Sequence, residues 1–101
     1  MTSVSIGRRP AARGWGFLTS HALVLLELER TPDPTVAELA RRTGLTARQM
    51  HRVIDDLVAS GYVSRTRVGR RNHYTIDSSQ PMRHPSLAHH RVSKLLAALT
   101  A

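Results

Sequence analysis

Two capped helices separated by one glycine, with a cationic hairpin directly behind them, predict an α+β fold that is mainly helical. The capping boxes are Thr35-x-x-Glu38 and Thr46-x-x-Gln49, the glycine is Gly44, and the hairpin covers about Tyr62 to Ile76. In that order these features build a winged helix-turn-helix closed by a C-terminal helix. Such a device sets one helix into the DNA major groove and a positive loop beside it.

A chain of 101 residues makes one small domain with room for a single core. One Trp, one Phe and two Tyr are its only large aromatics, so Leu, Val, Ile and Ala must fill that core. Residues 1–14 mix Ser, Gly, Pro and Arg without periodicity and read as a mobile basic arm, the domain proper running over 15–101. The balance of 15 basic against 7 acidic side chains gives a formal net charge of +8. Lys94 is the one lysine; every other cation is an arginine. A guanidinium pairs bidentately with phosphate or with the O6/N7 edge of guanine, so a polyanionic partner is expected. Charge alone leaves DNA, RNA and acidic lipid open, and a GC-rich genome would also favour Arg over Lys.

The lack of cysteine excludes disulfides, thiolate metal sites and a thiol nucleophile, and fits a reducing compartment. The best apolar run, Ala22 to Leu26, is too short for a membrane span and is closed by Glu27. A cytoplasmic protein with no membrane partner is expected. No Ser-His-Asp arrangement, phosphate-binding glycine loop or carboxylate pair points to catalysis, so neither enzyme activity nor a cofactor is expected.

Taken in order, Trp15 and Phe17 open the folded part and are expected to anchor on the core edge, each worth ~2–3 kcal/mol if buried. A first helix runs from about Ser20 to Arg30 behind Thr19 or Ser20 as cap, with Leu23, Leu25, Leu26 and Leu28 on its apolar side. Pro32 and Pro34 stop it, since proline denies a backbone donor and turns its predecessor away from helix. Thr35 caps the second helix, whose Val36, Leu39 and Ala40 face inward, and Gly44 supplies its left-handed C-cap. Thr46 caps the third, at about 46–60, with Leu45 and Met50 as a hydrophobic staple. Met50, Val53, Ile54, Leu57 and Val58 form its buried stripe, and Gly61 ends it. Tyr62 to Val68 and Asn72 to Ile76 read as strands around Gly69-Arg70-Arg71, with Tyr74 and Ile76 inward and His73 and Thr75 outward. Ser78 to Pro85 is a loop. A last helix is expected from Ser86 to about Leu99, with Val92, Leu95, Leu96 and Leu99 on one face.

With Met50 at the core, Arg48 and Arg52 project opposite the buried stripe of the third helix, flanked by Gln49 and His51. Exposed side chains in the first turns of such a helix are those that reach base edges. Gln49 faces a conflict between closing the capping box and reading adenine; Thr46 can both cap and donate its hydroxyl to phosphate. Asp55 and Asp56 would repel a DNA backbone, so only the first two turns should enter the groove, and pairing with Arg52 is their simplest role. The wing adds Arg65, Arg67, Arg70, Arg71 and His73, the tip arginines suiting a narrow minor groove. The expected DNA-binding set is Thr46, Arg48, Gln49, His51, Arg52, Arg67, Arg70, Arg71 and Asn72. His84, His89 and His90 invite a metal reading, but adjacent helical residues diverge by about 100°, so no metal site is expected. Ser20 and His21 read as capping and packing residues.

The stretch LARRTGLTARQMHRVIDDLVASGYVSRTRVGRRNHYTI resembles the helix-turn-helix and wing of the MarR/ArsR-like transcriptional regulators, weakly over about residues 17–99. The resemblance implies a sequence-specific regulator of double-stranded DNA, a dimeric repressor with wing 65–73 on the minor groove or backbone. It also implies a homodimer built from terminal helices, for which the first helix and Leu95, Leu96 and Leu99 offer apolar faces. A small-molecule effector is compatible with it; the cysteine metal-sensing motif of many ArsR proteins is missing. The rival readings are a non-specific nucleoid or RNA-binding protein, and a winged helix used for protein–protein contact.

Overall fold

The first capped helix forms where the sequence places it, and it becomes the centre of the molecule. A computed structural model describes residues 15–31 and 33–100, so the expected basic arm at 1–14 lies outside the described residues. Helix α1 (Ser20–Arg30) is capped by Thr19, whose hydroxyl oxygen accepts from the Ala22 N–H at 3.1 Å. Its Val24, Leu25, Leu26 and Leu28 are all buried. Four such positions within five residues exceed a single stripe, which is what a helix surrounded on several sides requires. Accordingly α1 touches α2 (Val36–Thr43), α3 (Ala47–Ala59), α4 (Val92–Leu99) and strand β2 (Arg71–Ile76).

Both capping boxes are complete. The Thr35 N–H donates to Glu38 at 2.8 Å while the Glu38 N–H donates to Thr35 at 3.0 Å. Thr46 and Gln49 repeat the exchange at 2.9 and 3.1 Å. Gly44 closes α2 at φ 80°, a conformation that costs a residue with a Cβ roughly 1–2 kcal/mol. The turn aims the buried stripe of α3, Met50, Val53, Ile54 and Leu57, onto Leu39 and α1.

Behind α3, β1 (Val63–Val68) pairs antiparallel with β2 from Val63↔Ile76 to Val68↔Arg71. The connecting loop is therefore Gly69-Arg70 alone, and Arg71 is the first residue of β2 rather than part of the tip. Gly69 has φ 62° and Arg70 is not left-handed, the pattern of a two-residue II′ hairpin turn. Tyr74 is buried and Ile76 half-buried, with His73 and Thr75 exposed, as the alternation predicts.

Three further expectations are corrected. Trp15 and Phe17 do not anchor on the core: they are 74% and 93% exposed and stack edge-on with each other at 5.3 Å. Leu18, half-buried against the core, takes the place expected of them. The last helix begins at Val92, not Ser86. The His84 ring accepts from the Ser86 N–H and fixes a short 3-10 turn at Pro85–Leu87. The His90 carbonyl is then taken by the Met82 N–H, which prevents helix from propagating through it. The first N–H groups of α4 find the Gln80 and Ser78 carbonyls at 2.9 and 2.8 Å, so loop backbone replaces a side-chain cap. Third, His89 and His90 consequently sit outside any helix, with ring centroids 4.0 Å apart rather than diverging. The charge of His89, followed by Lys94 and then burial, holds His90 below the ordinary histidine value.

Candidate nucleic-acid interface

At 100° per residue, Arg48 and Arg52 fall about 160° from Met50 on opposite sides, and so share the exposed back of α3. Met50, Val53, Ile54 and Leu57 are fully or almost fully buried, which fixes the helix in rotation. Arg48, Gln49, His51 and Arg52 are all exposed. Neither Arg48, His51 nor Arg52 has a hydrogen-bonded or ionic partner among the described residues. Gln49 does: its side-chain oxygen is committed to the Thr46 N–H, which leaves its NH₂ group free. Thr46 accepts from the Gln49 N–H and keeps its own O–H to donate.

Asp55 and Asp56 are not partners of Arg52. Asp55 takes Arg65 of β1 at 3.4 Å, and Asp56 takes the His21 ring of α1 at 2.9 Å. His21 is thus an inter-helix link rather than a cap. These two pairs account for the acidic third turn of α3 and leave Arg52 electrostatically uncommitted.

The wing divides into unlike cations. Arg70, in the turn, is exposed and without a partner among the described residues. Arg67 folds back to donate to the Gly69 carbonyl at 3.0 Å, across from half-buried Asn72. Arg71 turns away from the tip: its guanidinium donates to the Asp33 carbonyl and lies 4.0 Å from Glu38. Beside it the His73 ring meets the Asp33 carboxylate at 2.5 Å. Glu38 is held below the ordinary glutamate range, first by the Thr35 N–H, with Arg42 and Arg71 adding smaller effects. No periodicity flags contacts such as Asp33–His73 or His21–Asp56, because their partners lie 40 and 35 positions apart.

The apolar surface expected at the C-terminus is smaller than the spacing suggests. Leu96 is 3% exposed and belongs to the chain's own core, which leaves half-buried Leu95 and exposed Leu99. Leu95 lines an open groove of about 630 Å³ floored by Leu25, Leu57, Tyr62 and Val92 and rimmed by His21, Asp56 and Arg83. Among the described residues no three His, Asp or Glu side chains gather to hold a metal ion, and no helix is long and apolar enough to cross a membrane.

Residues 15–71 match the profile of the MarR family. A solved structure of a predicted DNA-binding transcriptional regulator from E. coli superposes with TM-score 0.56 at 24% identity, over 77% of this chain and 70% of that one. A MarR family protein of Mycobacterium tuberculosis, Rv2887, is similar in its complex with salicylic acid, with TM-score 0.51 at 29% identity and 80% of this chain covered. Its complex with p-aminosalicylic acid gives the same three values. The matched region covers 59% and 60% of the length of those two Rv2887 chains. No curated relative matches the chain in sequence.

Proposed function

The chain belongs to the MarR family, and we propose that this DNA-binding transcriptional regulator is a homodimeric, sequence-specific repressor of the cytoplasm. In this reading α3 enters the major groove and the turn of the wing lies on the minor groove or the backbone. One observation carries it: Arg48 and Arg52 stand on the back of a helix whose front is locked into the core, with no internal partner among the described residues. A cation that no carboxylate neutralises, on a rigid exposed helix, is available to phosphate or to a guanine edge. Thr46, Gln49 and His51 complete the helix side of the contact, and Arg70, with Arg67 and Asn72 behind it, the wing side.

Dimerisation would use the C-terminal end, through Leu95 and Leu99, and set two α3 helices about 34 Å apart on half-sites one turn of DNA away. The open groove beside Leu95 is where we place a small organic acid as effector. Its rim offers the Arg83 guanidinium beside the His21–Asp56 pair, and two structural neighbours are complexes with salicylic and p-aminosalicylic acids.

Selection from a random duplex pool tests the reading. A defined sequence should emerge, and Arg52→Ala should cost ~1–3 kcal/mol on it while relaxing the base preference. Equal losses on selected and random duplexes would remove Arg52 from base readout. Steep salt dependence with no sequence enriched would favour the non-specific nucleoid or RNA-binding alternative. A chain that retains no duplex at all would favour a protein-contact role.

A further inference from the structure

We propose that Asp33 is a positioning residue for DNA binding, a latch that fastens the second strand of the wing to the loop between α1 and α2. The inference rests on the DNA-binding reading above but is carried by a different set of contacts. Asp33 holds β2 twice, through its carboxylate to the His73 ring at 2.5 Å and through its carbonyl to the Arg71 guanidinium. Arg71 and His73 are alternate residues of β2 and therefore extend from the same face of the strand. Glu38, in the first turn of α2, adds a third contact at 4.0 Å from Arg71.

The anchor is itself stiff. Buried Pro34 follows Asp33, and its ring fixes the backbone that leads directly into the Thr35 capping box. The wing is otherwise a two-stranded hairpin, an element only marginally stable by itself. Past Val63, every residue of β1 is exposed, and on β2 buried apolar packing reaches no nearer the tip than Tyr74, in the middle of the hairpin. The latch reaches the opposite end, at the first and third residues of β2, next to the Gly69-Arg70 turn. It thereby sets where Arg70 stands relative to the exposed face of α3. His73 and Arg71, counted from sequence as part of a DNA-facing charge run, are spent on the protein itself.

The sign of the expected effect separates this role from plain electrostatics. Replacing Asp33 by a neutral residue adds one positive unit to a formal charge of +8. On charge alone that should tighten binding to a polyanion. The latch predicts the opposite.

The test uses Asp33→Ala and Asp33→Asn, which change the charge identically, in the full chain. Asn keeps a side-chain oxygen that can accept from the His73 ring; Ala does not. Affinity is read on a duplex that the wild-type chain selects from a random pool, at fixed ionic strength. Amide hydrogen exchange of the free protein is read across 71–76. Asp33→Ala should weaken the duplex complex about fivefold and speed exchange of β2 by about the same factor, the size of one net hydrogen bond. Protection in α1 and α3 should not change. Asp33→Asn should keep most of both, and Asp33→Ala with His73→Ala should be no worse than the more damaging single change. Unaltered or tighter binding by Asp33→Ala, with unaltered exchange, overturns the latch. If the wild type selects no duplex the DNA-binding reading fails separately, and exchange across β2 still decides whether Asp33 holds the wing.

Discussion

The His21 ring lies 2.9 Å from the Asp56 carboxylate and thereby joins the first turn of α1 to the third turn of α3. The pair is exposed at both ends, 45% for His21 and 57% for Asp56, so its strength is that of a surface ion pair. Either single replacement by Ala should cost ~0.2–1 kcal/mol in chemical denaturation, and the double replacement little more than one alone. Strict additivity of the two losses would show that the residues do not interact in solution. The placement matters because Asp56 belongs to the helix that we propose to enter DNA, and both residues rim the groove that we assign to an effector. A ligand there would meet the link between α1 and α3.

Gly44 gives a sharper test of the turn. An added Cβ would meet no atom within 4 Å, yet the residue sits at φ 80°. The cost of Gly44→Ala is therefore conformational, roughly 1–2 kcal/mol, and not a clash that neighbours could relieve by moving. Gly44→Asn should recover much of it, since Asn tolerates the left-handed region. Thermal unfolding distinguishes the two, at about 4–8 °C per kcal/mol for a domain of this size. If Ala and Asn prove equally harmless, the turn does not need the conformation seen here.

Stability should fall in acid partly through Glu38. Its carboxylate accepts the Thr35 N–H at 2.8 Å, and that bond holds the folded-state pKa below the ordinary glutamate value. A depressed carboxylate contributes stability that is complete above the unfolded value and is lost as pH falls through the folded one. The wild type should thus lose stability below the ordinary glutamate range. Glu38→Gln retains an acceptor for Thr35 but has no proton to take up, so its curve should be flatter there. Asp77, held below the ordinary aspartate value by the Ser79 hydroxyl, then Gln80 and the Ser79 N–H, is the same in both proteins. It therefore cancels in the difference between them. Parallel urea midpoints for the two proteins, from neutral pH down through the carboxylate range, would remove Glu38 as a source of acid lability.

The parts of the fold that were legible are those whose causes are local. A capping box needs two residues three apart, a left-handed cap needs one glycine, and the buried stripe of α3 repeats at helical period. The caps and the left-handed glycine survive into the structure unchanged, and the stripe does so except at Val58, which is only half-buried. What sequence could not show depends on partners that only the fold brings together. Trp15 and Phe17 are apolar, but nothing in their neighbourhood says whether a core lies in reach. At the start of α4, Ser86 after Pro85 is a sound local signal, but it is outweighed by His84 and by the carbonyls of 78 and 80. The charge run on the wing had the same weakness. Spacing reveals that Arg70 and Arg71 are adjacent; only the pairing of Val68 with Arg71 reveals that one is in the turn and the other in the strand.

That difference between neighbours yields the most direct prediction about the interface. Arg70, exposed in the turn and unpaired among the described residues, is free to neutralise a phosphate. Each phosphate neutralised contributes about 0.9 to the slope of log affinity against log salt. Arg70→Ala should therefore lower the slope by about 1 on selected and random duplexes alike. Arg71 is held by the Asp33 carbonyl and stands near Glu38, so removing it takes away no phosphate contact. Arg71→Ala should weaken binding with the slope preserved, and amide exchange across β2 should rise as it does on loss of Asp33. Binding isotherms for both variants over a salt series supply the comparison. A slope change at Arg71 as large as that at Arg70 would mean that the guanidinium leaves Asp33 for the DNA when the complex forms.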